Sequence, residues 1–144
     1  MRISGLWYLC DDGIVRPVIR GEVQAADGTW MKVPFLVDTG ADRTVFSADI
    51  LNALHLQPIN SPDRLGGVGG IADSVGVKTQ IRLTQDDAGK AVFKGQFAGF
   101  TDPEALDMSV LGRDILNLFA LIVDQPADTV CLLGQKHFYT IGIR

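Results

Sequence analysis

The stretch that decides the fold is Phe35-Leu36-Val37-Asp38-Thr39-Gly40-Ala41-Asp42, in which an apolar strand runs directly into an acid, a small hydroxyl residue and a glycine. Such a strand fixes the direction in which the Asp38 carboxylate points. Gly40 lets backbone N–H groups approach that carboxylate, and the Thr39 hydroxyl can tie the loop down by hydrogen bonding. The stretch therefore predicts a firmly held carboxylate that is suited to acid–base chemistry.

Two further segments make this signal specific, because an Asp-Thr-Gly tripeptide alone occurs by chance in about one chain in forty of this length. One is glycine-rich, Leu65-Gly66-Gly67-Val68-Gly69-Gly70-Ile71. The other is Val110-Leu111-Gly112-Arg113-Asp114-Ile115-Leu116, in which two apolar residues and a glycine open a helical pattern. Because the three segments occur in this order, they favour a functional site over a simple turn at Asp38-Thr39-Gly40.

These segments resemble those of the retropepsin-like aspartic proteases, the single-lobed, homodimeric relatives of pepsin that include the retroviral proteases. The resemblance spans residues 35 to 118 and implies a mainly β, closed barrel-like acid-protease fold with two short helices. It identifies Asp38, Thr39 and Gly40 as the catalytic loop. It also implies a flap that closes over the substrate and is formed by Gly66, Gly67, Val68, Gly69, Gly70 and Ile71.

The activity implied by the resemblance is that of an aspartic endopeptidase without cofactor or metal, acting on peptides or proteins. Because the chain carries one Asp-Thr-Gly and pepsin-type hydrolysis needs two facing carboxylates, we expect a homodimer in which two copies of Asp38 share one proton. One carboxylate would take a proton from water while the other donates to the scissile carbonyl oxygen. The alternative is a module of the same fold that dimerises or binds peptides without cutting them.

Further roles follow from the resemblance. Substrate contacts are expected from Asp42, Arg43, Val45 and Val110, in addition to the flap. Support of the catalytic loop is expected from Ala41, Leu111, Gly112, Arg113, Asp114 and Arg16. Within this set we predict an ion pair between Asp42 and Arg113, joined by Arg16 of the other subunit. We also predict that Arg43 lets the enzyme accept an acidic side chain two places from the scissile bond.

Ala41 suggests a pH range, since pepsin-like relatives often carry a hydroxyl there that hydrogen-bonds the ionised carboxylate and favours its charged form. Alanine cannot donate this bond. We therefore expect an optimum at mildly acidic to near-neutral pH.

The composition predicts one domain over residues 1–144, with a strand extension over 120–144, because 144 residues of which 47% are hydrophobic suffice for a single core. Turn motifs separate runs of strand-like composition: Val15 to Ala25, Trp30 to Asp38, Ser74 to Thr84, Lys90 to Phe100, Ala120 to Val123, Thr129 to Leu133 and His137 to Ile143. Helical spacing predicts Ala48 to Leu54, capped by Ser47, and Arg113 to Phe119. We expect the last run, His137 to Ile143, to pair with itself or with the N-terminal strand across the dimer.

Charge and hydropathy argue against other partners. A net charge of −4 disfavours nucleic acid, and the longest strongly apolar run, Leu118 to Val123, is too short to cross a membrane. A cytoplasmic protein is expected. Cys10 and Cys131 are too few for a disulfide framework or a zinc site, so we expect two free thiols, with Cys131 buried.

Two motifs of other enzyme classes compete with this interpretation. Gly67 to Ala72 fits the Gly-x-Gly-x-x-Ala dinucleotide pattern, but an alternating strand follows it where that pattern needs a helix. Ala72 to Gly76 is a degenerate nucleophile elbow with His137 downstream, and such an elbow must join a strand to a helix. We therefore expect neither motif to be functional.

Overall fold

A computed structural model describes residues 1–59, 63–67 and 70–142, with the backbone alone described for residues 63–67 and 70–72. Its strands are β1 (Arg2–Ser4), β2 (Leu6–Leu9), β3 (Val15–Gln24), β4 (Trp30–Val37), β5 (Val45–Phe46), β6 (Asp63–Gly67), β7 (Gly70–Thr84), β8 (Lys90–Phe100), β9 (Val110–Leu111), β10 (Ala120–Asp124) and β11 (Thr129–Leu133). The helices are α1 (Ala48–Leu54) and α2 (Arg113–Leu116). Neither helix in this part of the chain is long and apolar enough to span a membrane.

Eight of the strands form one sheet in the order β2-β3-β4-β9-β5-β8-β7-β6, and an additional pairing of β3 with β7 closes it. The closure joins Gly21, Glu22 and Val23 to residues 81–83 in antiparallel register. A second sheet has the order β1-β11-β10. The prediction of a mainly β, barrel-like fold with two short helices is confirmed.

The core fills the closed sheet with alternate side chains from its strands. Phe35, Phe46 and Phe97 lie at its centre, with Phe46 between the other two at ring-centroid distances of 6.3 and 6.0 Å. Side chains alternate between the two faces of a strand, so the buried Val33, Phe35 and Val37 leave the intervening residues of β4 on the opposite face. This alternation decides where the next polar residue, Asp38, points.

Local signals predicted most elements, and the differences have physical causes. Helix α1 has the predicted bounds, but the Ser47 hydroxyl does not cap it; that hydroxyl donates to Asp49 Oδ1 (2.6 Å) and lies 3.3 Å from the buried Ser109 hydroxyl. Helix α2 ends at Leu116 rather than Phe119, because residues 117–119 form tight turns that lead directly into β10. Tertiary contacts therefore override both local preferences.

The C-terminal extension contains two of its three predicted strands. β10 and β11 form a hairpin, and β1 pairs with β11 through Ile3 and Leu132. The predicted strand His137 to Ile143 is wrong for residues 137–142, which form no strand. The Gly134 N–H still donates to the Met1 carbonyl, but no strand of the described residues pairs with the chain beyond this point. Pairing of this segment with a second copy stays a prediction.

The two competing motifs lie in an antiparallel hairpin. β6 pairs with β7 so that Gly67 opposes Gly70, and no helix follows the glycines in the described part of the hairpin. Ser74 lies inside β7, where it pairs with Phe100 of β8. Neither segment has the strand-to-helix geometry that a dinucleotide site or a nucleophile elbow requires. Cys10 and Cys131 are both free thiols, and Cys131 is buried.

Candidate active site

Asp38 is placed by two parallel strands that end together. β4 and β9 pair through Leu36 with Val110 and Val37 with Leu111, and the Asp38 N–H extends this ladder by donating to the Leu111 carbonyl at 3.1 Å. Because side chains alternate along β4, Asp38 lies on the same face as Leu36, away from the core. The strand pair therefore holds the Asp38 backbone and aims its side chain outwards.

The loop after β4 folds back onto this carboxylate. The Gly40 N–H donates to Asp38 Oδ1 at 3.0 Å, and the Ala41 N–H donates to the Asp38 carbonyl at 3.2 Å. The predicted approach of a backbone N–H at Gly40 is thus present. Thr39 is exposed in the single chain.

The rest of the loop is bonded to the start of α2. The Arg113 N–H donates to the Ala41 carbonyl at 2.8 Å, and the Asp114 N–H donates to the Asp42 carbonyl at 3.2 Å. In the opposite direction, the Asp114 carboxylate accepts the Thr44 N–H at 2.9 Å and the Thr44 hydroxyl at 2.7 Å. Thr44 is completely buried. These hydrogen bonds join two segments about 70 residues apart.

Gly112 allows these segments to come this close. A Cβ at this position would lie 2.3 Å from the carbonyl carbon and oxygen of Arg43. The Gly112 N–H donates to Thr44 Oγ1 at 3.1 Å. A side chain would push the two backbones apart. The sequence analysis assigned no role to Thr44, whereas it predicted its partner Asp114 as a supporting residue.

Two predicted charged contacts have different outcomes. Arg113 donates to the Asp42 carboxylate, so the expected ion pair is present, on the protein surface. Arg16 makes a two-pronged ion pair with Asp12 of its own chain at 2.9 and 2.7 Å. Hydrogen bonding to this guanidinium lowers the pKa of Asp12 to about 2, and the carboxylate in turn raises the pKa of Arg16. The expected contact of Arg16 with a second subunit stays a prediction.

A cavity of about 700 Å³ opens beside Asp38. One wall is the β2–β3 turn, the other is the loop that precedes β9, and β4 forms the base between them. Its lining consists of Tyr8, Cys10, Asp11, Asp12, Arg16, Pro34, Leu36, Asp38, Glu104, Ala105, Leu106, Asp107, Met108 and Val110. The loop over residues 101–109 had no predicted purpose. The signal that could have indicated a cavity wall in the sequence was the presence of the apolar residues Ala105, Leu106 and Met108 within an otherwise polar loop.

Of the other predicted substrate-binding residues, only Val110 is in the lining of this cavity among the described residues. Val110 lines it, whereas Val45 is buried in a small cluster with Ala98, Phe100 and Val110. Arg43 is exposed and is not part of the lining. The backbones of Gly66, Gly67, Gly70 and Ile71 form the end of the β6–β7 hairpin. Val68 and Gly69, the predicted tip of the flap, lie outside the described residues.

Comparisons with known proteins agree with this geometry. The chain belongs to the aspartyl protease family, whose family model matches residues 22–115. No curated protein sequence matches it significantly.

Two similar solved structures define the fold as that of the retropepsin-like proteases. One is a retropepsin-like aspartic protease from Rickettsia conorii, with a TM-score of 0.59 and 19% identity over 92% of this chain and 98% of that chain. The other is the EIAV protease in complex with the inhibitor HBY-793, with a TM-score of 0.51 and 24% identity over 71% of this chain and 86% of that chain. The chain is thus an aspartic endopeptidase by family.

Proposed function

We propose that the protein is an aspartic endopeptidase that works as a homodimer and contributes one Asp38 from each subunit. The observation that carries the proposal is the position of Asp38, which follows β4, accepts the Gly40 N–H and borders a cavity of about 700 Å³. One chain supplies one such carboxylate. Hydrolysis by a carboxylate pair needs a second one, and a two-fold axis beside the Asp38 loop provides it.

The chemistry follows from placing two like charges close together. Two facing carboxylates cannot both be ionised cheaply, so the pair holds one proton between them. The ionised Asp38 takes a proton from a water molecule as that water attacks the scissile carbonyl carbon, and the protonated Asp38 donates to the carbonyl oxygen. The Gly40 N–H holds Oδ1 in each subunit, which keeps the carboxylates oriented during this exchange.

Substrate binding involves the cavity and the glycine-rich hairpin. A peptide lying across the two Asp38 loops would place side chains against Leu36 and Val110, while the hairpin that ends at Gly67 and Gly70 closes over it and excludes water. Asp42 accepts a backbone N–H of the peptide and is braced by its ion pair with Arg113.

The experiment compares the protein with Asp38→Asn, which preserves shape but removes the titrating oxygen. Both are incubated with an unfolded protein from pH 3 to pH 8 over a range of protein concentrations, and cuts are mapped by mass spectrometry. Asp128→Asn is the matched control, because this exposed turn residue is outside the cavity lining.

We expect cuts that disappear in Asp38→Asn, persist in Asp128→Asn and increase faster than linearly with protein concentration. A rate that stays strictly linear well below the measured dimer dissociation constant would contradict the shared site. A proven dimer that binds the unfolded protein but never cuts it would favour the alternative, a peptide-binding module.

A further inference from the structure

The charge of the chain is concentrated around the cavity beside Asp38. Five carboxylates line it against a single guanidinium, so the negative excess there equals the net charge of −4 carried by the whole chain. Outside the cavity, acidic and basic residues therefore balance. Negative charge that is concentrated in the cleft of a protease affects which peptides can bind there.

The one cation in the lining is already neutralised. Both guanidinium nitrogens of Arg16 that face Asp12 are hydrogen-bonded to its carboxylate, and Asp12 Oδ1 also accepts the Ile14 N–H, which fixes the β2–β3 turn. Asp11 on this wall, and Glu104 and Asp107 on the opposite wall, form no ion pair among the described residues. Three exposed carboxylates thus remain uncompensated at the rim.

The less exposed part of the same lining is apolar. Leu36, Leu106 and Met108 are half-buried and Val110 is buried, and Leu36 pairs with Val110 in the ladder that holds Asp38. A peptide side chain that contacts these residues leaves water for an apolar surface, whereas a neighbouring side chain lies near the exposed carboxylates. The exposed carboxylates affect peptide binding because they border the same cavity as Asp38.

We infer that this cavity selects peptides in which an apolar residue at the cut is accompanied by a lysine or arginine, with Asp11, Glu104 and Asp107 as specificity-determining residues. This inference rests on the proposed function and names its substrate class. A basic side chain is attracted by the rim, and an acidic one is repelled by it. The expected role of Arg43 concerns another position of the peptide, because Arg43 is not in this lining.

The test uses fluorogenic peptides that share an apolar pair at the cut and differ in one flanking residue, which is lysine, glutamine or glutamate. An exposed ion pair typically changes an equilibrium about twofold, so three carboxylates predict a lysine-to-glutamate ratio in kcat/KM of about tenfold at low salt. The ratio should shrink at 0.5 M salt, where exposed charges are screened.

A pair of variants with the same charge change separates the rim from general electrostatics. Asp107→Asn and Asp128→Asn each remove one negative charge, but Asp128 lies outside the lining. We expect Asp107→Asn to lower the lysine-to-glutamate ratio about twofold to threefold and Asp128→Asn to leave it unchanged. Glu104→Gln repeats the test on the same wall.

Failure of this inference is distinguishable from failure of the proposed function. Cleavage that requires Asp38 but shows equal kcat/KM for the three peptides, or equal effects of the two asparagine variants, overturns the inference alone. If nothing is cut, the same peptides are titrated into Asp38→Asn and Asp38→Asn/Asp107→Asn by fluorescence anisotropy. Tighter binding of the lysine peptide that depends on Asp107 then supports the inference and overturns the protease, and charge-independent binding overturns both.

Discussion

Replacing Thr44 by valine tests how the loop after Asp38 is held. Valine has nearly the same shape as threonine but lacks the hydroxyl, which donates to Asp114 at 2.7 Å and accepts the Gly112 N–H at 3.1 Å. A hydrogen bond to a charged group contributes about 1.5 to 3 kcal/mol, and a buried N–H left without a partner costs about 1 to 3 kcal/mol. Because the Thr44 N–H still holds the carboxylate, we expect a combined loss of about 3 kcal/mol in unfolding free energy.

The assay is urea unfolding followed by circular dichroism at one fixed protein concentration, since dimerisation makes apparent stability depend on concentration. For a slope of about 2 kcal/mol per molar urea, the midpoint should fall by about 1.5 M. Thr44→Ser keeps the hydroxyl, loses one methyl group and should cost about 1 kcal/mol. Thr84→Val is the control, because the Thr84 hydroxyl accepts a hydrogen bond from the Lys90 ammonium at 2.7 Å at an exposed strand end, where water can replace the bond, so the midpoint should change little.

The reasoning is refuted if Thr44→Val unfolds at the same urea concentration as the unaltered protein. It is also refuted if Thr44→Ser loses as much stability as Thr44→Val, because the methyl group and not the hydroxyl would then carry the effect.

Three further predictions follow from the structure. Gly112→Ala should cost about 3 kcal/mol and most of the activity, because its Cβ would lie 2.3 Å from backbone atoms, whereas Gly95→Ala, with no atom nearer than 3.9 Å, should be neutral in urea unfolding. Ala41→Ser should move the acid limb of the pH–rate profile to lower pH, and an unmoved limb would contradict this. Arg82 lowers the pKa of Glu22, so that pair stabilises the fold above the unfolded-state pKa and is lost as pH falls through the folded value. Glu22→Gln should therefore lower the free energy of unfolding, measured by thermal denaturation, by about 1 kcal/mol at pH 7 and leave it unchanged near pH 2. An equal loss at both pH values would exclude the ion pair as the cause.

The parts of the molecule that were predictable carry their signal within a few residues. The apolar strand before Asp38, the helix over residues 48–54 and the hairpin turns all follow from periodicity and turn chemistry, which act locally. The resemblance added two distant segments, of which the one around Gly112 and Asp114 is hydrogen-bonded to the loop after Asp38. It also supplied the supporting role of Asp114, which its position in the chain does not reveal.

The remaining features depend on which segments meet in space. The loop over residues 101–109 faces Asp38 across a cavity, and no local pattern reports such an opposition. Ser47 has the composition of a helix cap, yet its hydroxyl bonds to Asp49 and lies beside Ser109, 62 residues away. Residues 137–142 have side chains that favour strands, but such residues form a strand only where an open sheet edge is available for pairing.

The hydrogen bonds that the described residues form around Asp38 hold its loop within a single protomer. The β4–β9 ladder, the Gly40 N–H and the bonds between Thr44 and Asp114 are complete in a single protomer. Under the proposed function, association of two protomers therefore brings together two finished half-sites and does not need to fold them. Dimer affinity then controls activity through the number of paired Asp38 carboxylates, whereas a substitution in the loop anchor alters the turnover of each pair. At saturating protein concentration the first kind of defect is overcome and the second persists, so titrating the concentration of a weakened variant reveals which of the two was damaged.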